Sequence, residues 1–183
     1  MIRRVLDGLY LLAGWLAGLF LLAIFGLMMA MSLGRLPIFR LNVTDGDQFV
    51  AWSMAAVAFL GLAHTFRSGE MIRVGLLLDR LTPRARRPFE IVSLLLGLGF
   101  IGFFAVHAVL FLSDSWRFND MAQGVLPIPL WIPQLGYVSG LVLLGVAFLD
   151  ELVYVVRGGA PRYEKPPPKN AEEVVERAAA SAV

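Results

Sequence analysis

The chain has 183 residues, of which 58% are hydrophobic and 16% charged, and its mean hydropathy is +0.72. Soluble globular domains carry fewer apolar residues, so this composition indicates an integral membrane protein with room for about four spans of roughly 20 residues and no separate soluble domain. The formal charge of +2 comes from basic residues that flank apolar runs instead of forming an aromatic-interleaved patch, so membrane lipid, and no nucleic acid, is the expected contact.

Four apolar runs are long enough to cross a bilayer as helices, which predicts an all-α membrane protein. The runs lie at about 9–34, 49–66, 90–112 and 130–149. Arginines precede the first run, as in a signal peptide, but a cleaved signal has only about 7 to 15 apolar residues, so this longer run is expected to remain as a span. Thr82 and Pro83 match a helix N-cap followed by proline at the first helical position, so the third helix is expected to begin ahead of its apolar run.

The membrane domain is expected to cover residues 1–157. The tail that follows, 158–183, is rich in proline and charge, which predicts disorder. Thirteen of the Lys and Arg residues outside the runs lie before the first run, between the second and third, or after the fourth, against three in the other two loops. By the positive-inside rule, both termini and the middle loop are predicted to be cytoplasmic.

The middle loop carries a second pattern. One arc of a helical wheel holds Met71, Val74, Leu77, Leu78 and Leu81, and Arg73 and Arg80 lie nearly opposite. This predicts an amphipathic helix at about 70–81 on the inner leaflet. A plain solvated loop is the alternative, because the window is short and Asp79 flanks the apolar arc.

Charged and aromatic residues beside the membrane are the candidates for anchoring or assembly. They are Arg67, Arg73, Arg80, Arg84, Arg86, Arg87 and Trp131. Asp150 and Glu151, at the end of the fourth run, are candidates for ion pairs with these arginines, and the alternative is that both are solvated at headgroup level. Two glycine pairs at four-residue spacing, Gly14 with Gly18 and Gly136 with Gly140, predict packing faces for partner helices.

Catalytic and metal-binding patterns are missing from the sequence. No Asp, Glu, Lys or Arg lies inside the runs beyond the boundary residue Glu90, so no proton relay or coupling-ion cage is expected. Cysteine is absent, and so are the G-x-S-x-G, H-E-x-x-H and Gly-rich phosphate-loop motifs. The sequence therefore predicts neither an enzyme nor a metal site.

His64 and His107 raise one competing function, a membrane-anchoring cytochrome b-like electron-transfer subunit, because two imidazoles can hold a haem between helices. Their depths differ, since His64 lies three residues before Arg67 and His107 lies seventeen residues beyond Glu90. These separations are about 4.5 Å and about 25 Å from the same side of the membrane. No cofactor is therefore expected, and His107 is expected to bond a neighbouring helix.

The second span and the basic loop read FLGLAHTFRSGEMIRVGLLLDRLTPRARR, and the entrance of the fourth span reads LPIPLWIPQLGYVSG. In this order the features resemble the small membrane subunit of tripartite ATP-independent periplasmic (TRAP) transporters, the DctQ-like family, over about residues 5–157. Relatives commonly have His where this chain has Met71, and a glutamate near the start of the second span where this chain has Asp47. No role is transferred to those two side chains.

The resemblance implies a bacterial inner-membrane transporter in which a periplasmic binding protein, the P-subunit, delivers a solute, typically a carboxylate or sialic acid. A large membrane subunit, the M-subunit, then moves the solute with a sodium gradient. In that family the small subunit is a scaffold packed against the large one, and it holds neither the substrate nor the sodium sites. The expected function is thus the small subunit of a sodium-coupled symporter, without catalytic or substrate-binding residues.

Overall fold

The structure, a computed structural model, describes residues 2–36, 43–68 and 83–157. These residues form four helices: α1 Ile2–Gly34, α2 Gly46–Ser68, α3 Pro83–Phe118 and α4 Trp131–Val156. In the described ranges the only β-type pairing is an isolated bridge between Met121 and Pro129. Each helix contains a segment long and apolar enough to cross a membrane, which confirms the predicted all-α class with four membrane helices.

Two of the sequence predictions lie outside the described residues, namely the interfacial helix at about 70–81 and the tail 158–183. The cytoplasmic location of both termini stays a prediction. The third helix begins at Pro83, as the N-cap pattern indicated. It is 36 residues long and continues past the apolar run to Phe118. At 1.5 Å per residue it measures about 54 Å, so it extends beyond a hydrocarbon core of about 30 Å.

The helices pack in the spatial order α1–α2–α4–α3, because the well-packed pairs among the described residues are α1 with α2, α2 with α4, and α3 with α4. α2 and α4 are central and run parallel, whereas α1 and α3 are the outer helices. We call the end where α1 and α3 finish and α2 and α4 start the loop end. The opposite end, where α1 and α3 start, is the terminal end.

The seam between the central helices depends on two glycines of α4. A Cβ built on Gly136 would lie 2.8 Å from the Cβ of Ala56, and one built on Gly140 would lie 2.5 Å from the backbone nitrogen of Leu60. Any side chain at position 140 would therefore collide with the backbone of α2. The glycine spacing does mark a packing face, as the sequence indicated, but the helix that occupies it is α2 of the same chain and not a partner's helix.

Small residues also join α1 to α2. Ala13 and Ala17 lie one turn apart on α1, and they form a buried cluster with Ala56 and Leu60 of α2. Small side chains let two membrane helices approach closely enough for extensive van der Waals contact, which is the main attraction between helices in lipid. α2 is therefore held on one side by α1 and on the other by α4.

At the terminal end, all four helices contribute to one buried cluster. It includes Tyr10 from α1, Phe66 from α2, Leu94 from α3 and Val155 from α4. Phe66 also stacks on Phe148 of α4, with ring centroids 4.1 Å apart. The larger side chains of the core thus lie toward this end, while the seam further along is built from glycine and alanine.

The outer helices expose most of their apolar side chains. In the most apolar 18-residue window of α1 and of α3 only 6% of residues are buried, against 39% in α4. The mean hydropathy of these windows is 2.4 in α1 and 2.3 in α3, compared with 1.6 in α2. The most apolar helices therefore face outwards, as expected where the surrounding solvent is lipid.

Replacing Gly140 with alanine is expected to destabilise the chain, because the added Cβ meets backbone atoms of α2 that cannot move aside. Overpacking of this kind costs about 1–3 kcal/mol. Gly26→Ala on α1 is the matched control, since no atom lies within 4 Å of its added Cβ. Thermal unfolding in detergent measures both variants, and equal melting temperatures would contradict the close α2–α4 seam.

Candidate functional site

At the loop end, a hydrogen bond ties the start of α2 to the connection between α3 and α4. The Leu126 amide donates to Asp45 Oδ2 at 2.7 Å. Asp45 has φ 58°, a left-handed conformation that Asp tolerates better than most residues. Gly124 lies beneath this contact, and a Cβ there would be 2.7 Å from both Asp45 Oδ2 and Gln48 Oε1. The two loop regions are thereby fixed to each other.

The α3–α4 connection is itself ordered by backbone bonds. The Ala122 amide donates to the Ile128 carbonyl at 2.8 Å, and the Leu130 amide donates to the Asp120 carbonyl at 2.9 Å. These bonds fold residues 120–130 into a short loop that returns the chain to the start of α4. The chain therefore reaches the start of α4 at Trp131 through an internally bonded turn.

Beneath that loop, α3 and α4 are joined by one buried polar pair and one aromatic pair. Gln134 Nε2 donates to Ser115 Oγ at 3.0 Å, and both residues are buried. Trp131 and Trp116 meet edge to face with ring centroids 4.5 Å apart. Trp131, predicted as an anchoring residue, is thus half-buried and contacts another tryptophan of its own chain.

Sequence reasoning missed both loop-end contacts. The Asp45–Gly46 dipeptide is a turn signal, and Gln134 is a polar residue inside an apolar run, so each position carried a local mark. The local sequence at these positions does not identify the bonding partner, because Leu126 lies 81 residues from Asp45 and Ser115 lies 19 residues from Gln134. Only the packing order of the helices brings these groups together.

At the terminal end, His64 joins α2 to α1. Its Nδ1 lies 3.2 Å from the Tyr10 carbonyl oxygen, so a proton on Nδ1 makes the ring a donor to that carbonyl. Gly14 makes room for the ring, because a Cβ there would lie 3.0 Å from His64 Cγ and Nδ1. Here too, a predicted glycine contact is made within the chain. Gly18, the other member of the pair, has no atom within 4 Å of such a Cβ.

Two carboxylates are buried at the same end, Glu90 of α3 at 6% exposure and Glu151 of α4 at 3%. Glu151 is therefore not a solvated surface charge, whereas its neighbour Asp150 is half-buried. Of the predicted arginines, Arg67 lies in the last turn of α2. Three others belong to the first two turns of α3: Arg84, Arg86 and Arg87. Arg73 and Arg80 lie outside the described residues, so the predicted ion pairs stay predictions.

An apolar groove of about 680 Å³ opens between α2 and α3, with α4 as its floor. Phe59 contributes to the α2 wall, Phe100 and Phe104 to the α3 wall, and Tyr137 to the floor. His107 of α3 lines the same groove and is exposed. The groove is the one place in the apolar middle of the described helices where an imidazole and a phenol border a concave apolar surface.

The expectation that His107 bonds a neighbouring helix is wrong within this chain. Its Nδ1 lies 2.9 Å from the Phe103 carbonyl oxygen, four residues earlier on the same helix, and its ring packs against that of Phe103 at a tilt of 37°, with centroids 4.2 Å apart. His107 bonds the carbonyl of its own helix because α3 is an outer helix, and none of the described helices packs on this part of its surface. Among the described residues, no group of three or more His, Asp or Glu side chains is placed to hold a metal ion.

Four apolar helices joined by small-residue seams, with polar contacts near their ends, define a multi-pass membrane protein. The family model of the tripartite ATP-independent periplasmic transporters, DctQ component, matches residues 24–158. The chain therefore belongs to the DctQ family, which confirms the resemblance in the second span and the basic loop. It is a transporter component and not an enzyme, and the family and helices together indicate the bacterial inner membrane. No curated protein and no solved structure gives a significant match to the chain.

The Asp45 contact is tested by two substitutions that both tolerate positive φ. Asp45→Gly removes the acceptor, whereas Asp45→Asn keeps a carbonyl oxygen for the Leu126 amide. Loss of one such bond, worth about 0.5–1.5 kcal/mol, should speed hydrogen exchange at residues 122–128 roughly two- to tenfold in the glycine variant only. Equal exchange in the two variants, measured in detergent by mass spectrometry, would argue against the bond.

Gly14 and Gly18 form a matched pair for testing the α1–α2 contact. Gly14→Leu should displace the His64 ring from the Tyr10 carbonyl and lower the free energy of unfolding by about 1–3 kcal/mol. Gly18→Leu adds a side chain into open space and should leave the stability of the isolated chain unchanged or slightly higher. Melting temperatures that fall equally in both variants would count against the described α1 register.

Proposed function

We propose that this chain is the scaffold subunit of a sodium-coupled, binding-protein-dependent symporter for a carboxylate-type solute, and that it packs side by side against a large membrane subunit. Membership of the DctQ family carries the proposal. A periplasmic binding protein and the large subunit are the two partners that a tripartite transporter requires. The solute and sodium sites are assigned to the large subunit, not to this chain.

The chemistry of the helices supports that division of labour. A sodium or carboxylate site needs oxygen ligands or cationic donors facing a cavity inside the membrane. Between Glu90 and Asp114 on α3, and between Trp131 and Leu149 on α4, no charged residue occurs. The groove between α2 and α3 is lined by aromatic and aliphatic side chains apart from His107 and Tyr137. Such a surface suits contact with another apolar helix better than it suits binding an ion.

The packing also supports a rigid scaffold. The glycine seam locks α4 to α2, and a Cβ at Gly97 of α3 would lie 2.6 Å from Phe148 of α4. The bond from Leu126 to Asp45 then ties the α3–α4 loop to the start of α2. A transporter whose mobile domain carries the solute needs a second body that stays in place while that domain moves. The chain supplies such a body.

Anchoring in the membrane is assigned to the basic segment. With the middle loop in the cytoplasm, Arg73 and Arg80 would face anionic headgroups, where each basic residue contributes about 1 kcal/mol of attraction. An amphipathic helix at about 70–81 would lie in the leaflet plane and resist sideways or vertical displacement of the scaffold. In the same orientation, buried Glu151 and half-buried Asp150 would lie at the cytoplasmic end of α4.

The proposal is tested by co-expressing the chain with the large membrane subunit of the proposed transporter and purifying the chain through a tag in mild detergent. The large subunit should co-purify in a near-equal amount, and cells lacking this chain should lose sodium-driven uptake. Recovery of the chain alone would overturn the proposal, and so would unimpaired uptake in cells that lack it.

The double variant Arg73→Ala/Arg80→Ala should lower complex yield and uptake severalfold, because it removes about 2 kcal/mol of attraction to the inner leaflet. Arg35→Ala/Arg117→Ala is the matched control, since it removes the same charge from exposed loop-end residues. It should have a smaller effect on both measurements. Equal losses in the two double variants would argue against anchoring by the basic segment.

A further inference from the structure

We propose that the groove between α2 and α3 is the docking surface for a transmembrane helix of the large subunit, and that this helix donates a hydrogen bond to Nε2 of His107. The inference rests on the proposed function, because it assumes a membrane partner. It goes further by assigning which face of the chain meets that partner and which chemistry the partner must supply at this point.

The bond of His107 to its own helix fixes the tautomer of the imidazole. The Phe103 carbonyl oxygen can only accept, so the 2.9 Å contact requires the proton to be on Nδ1 of His107. In the neutral ring, Nε2 then carries a lone pair and is an acceptor. Nε2 has no hydrogen-bond partner in the part of the chain that the structure describes, and the side chain is exposed.

His107 lies deep within the membrane-spanning part of α3. His107 lies seven residues before Asp114 and seventeen after Glu90, which corresponds to about 10 Å and about 25 Å along the helix. Those two charges are about 36 Å apart, so His107 lies inside a hydrocarbon core of about 30 Å. An acceptor at that depth has no water to bond, and polar side chains within membrane helices are typically paired across a helix interface.

The occupant of the groove must supply a hydrogen-bond donor to Nε2 of His107. Acyl chains carry no hydrogen-bond donor, and the donor groups of lipids lie in the headgroup region, so lipid in the groove would leave Nε2 unpaired. A helix with a Ser, Thr, Asn, Gln or Tyr side chain can supply the donor at this depth while its apolar residues cover the groove. The rings of Phe100, Phe104 and Phe111 line the groove beside His107 and offer that helix a large apolar contact.

Tyr137 strengthens the assignment. It lies on the floor of the groove, in α4, and is half-buried, and the structure shows no bond between its hydroxyl and His107. The groove thus presents an acceptor on one wall and a phenolic hydroxyl on its floor, surrounded by apolar surface. A few polar groups within an apolar concave surface are typical of a site that fixes the orientation of its occupant.

Photo-crosslinking in the intact complex locates the interface. Benzoylphenylalanine replaces Phe104, which lines the groove, or Phe25, an exposed residue of α1 that serves as the matched control. Irradiation should join position 104, but not position 25, to the large subunit. Crosslinks from position 104 only to lipid or to a second copy of this chain would overturn the proposal, as would crosslinks to the large subunit from position 25 alone.

The hydrogen bond is tested by His107→Leu and His107→Gln. Leucine removes the acceptor and should lower the fraction of chain that retains the large subunit in detergent about threefold, the average effect of one interhelical hydrogen bond. Glutamine keeps an acceptor near the position of Nε2 and should restore retention. The melting temperature of the isolated chain should be the same in both variants, since the only described bond of His107 is to its own helix.

Equal retention in the leucine and glutamine variants would overturn the role of His107. Failure of the wild-type chain to co-purify with the large subunit would instead overturn the proposed function. Co-purification of the wild type with crosslinks that avoid the groove would leave the proposed function intact and remove only this docking surface.

Discussion

The rest of the structure depends on the close contact of α4 with α2, where Gly136 meets the Ala56 side chain and Gly140 meets the α2 backbone. In lipid the tails are as apolar as leucine, so helices gain no hydrophobic free energy by associating, and close van der Waals contact must hold them. Because neither glycine has a side chain, α4 approaches α2 more closely than any residue with a Cβ would allow at these positions. Both outer helices then pack on this central pair, α1 against α2 and α3 against α4.

Polar contacts are arranged around that apolar centre according to depth. The bond from Leu126 to Asp45 and the buried pair Ser115–Gln134 lie near the loop end. His64 and the Tyr10 carbonyl lie toward the terminal end, where the buried carboxylates Glu90 and Glu151 also lie. Hydrogen bonds at the ends set register and order, while the middle of each helix is left to packing. His107 departs from this rule, because it lies in the middle of α3 and its Nε2 has no hydrogen-bond partner among the described residues.

Hydropathy predicted the four membrane helices because a bilayer imposes one length and one composition on every span. The helix order was not predicted, because no charge inside the runs selects a neighbour, and the higher hydropathy of α1 and α3 marks them as outer helices without saying which central helix each one contacts. The glycine spacings identified close-packing faces, yet Gly14, Gly136 and Gly140 pack within the chain, because spacing marks a face without naming the helix that covers it. The own-helix bond of His107 could not be predicted for the same reason, because the exposure of this side chain depends on α3 being an outer helix.

The groove between α2 and α3 follows from the same geometry and is pre-formed. Its α2 wall is fixed to α4 through Gly140, and its α3 wall is fixed to α4 through Gly97 near the terminal end and the Ser115–Gln134 bond near the loop end. A partner helix that enters it need not reorder either wall, so little conformational entropy is lost on association. A body whose walls are set before the partner arrives can hold its position while the partner moves, and this is the physical requirement for a scaffold.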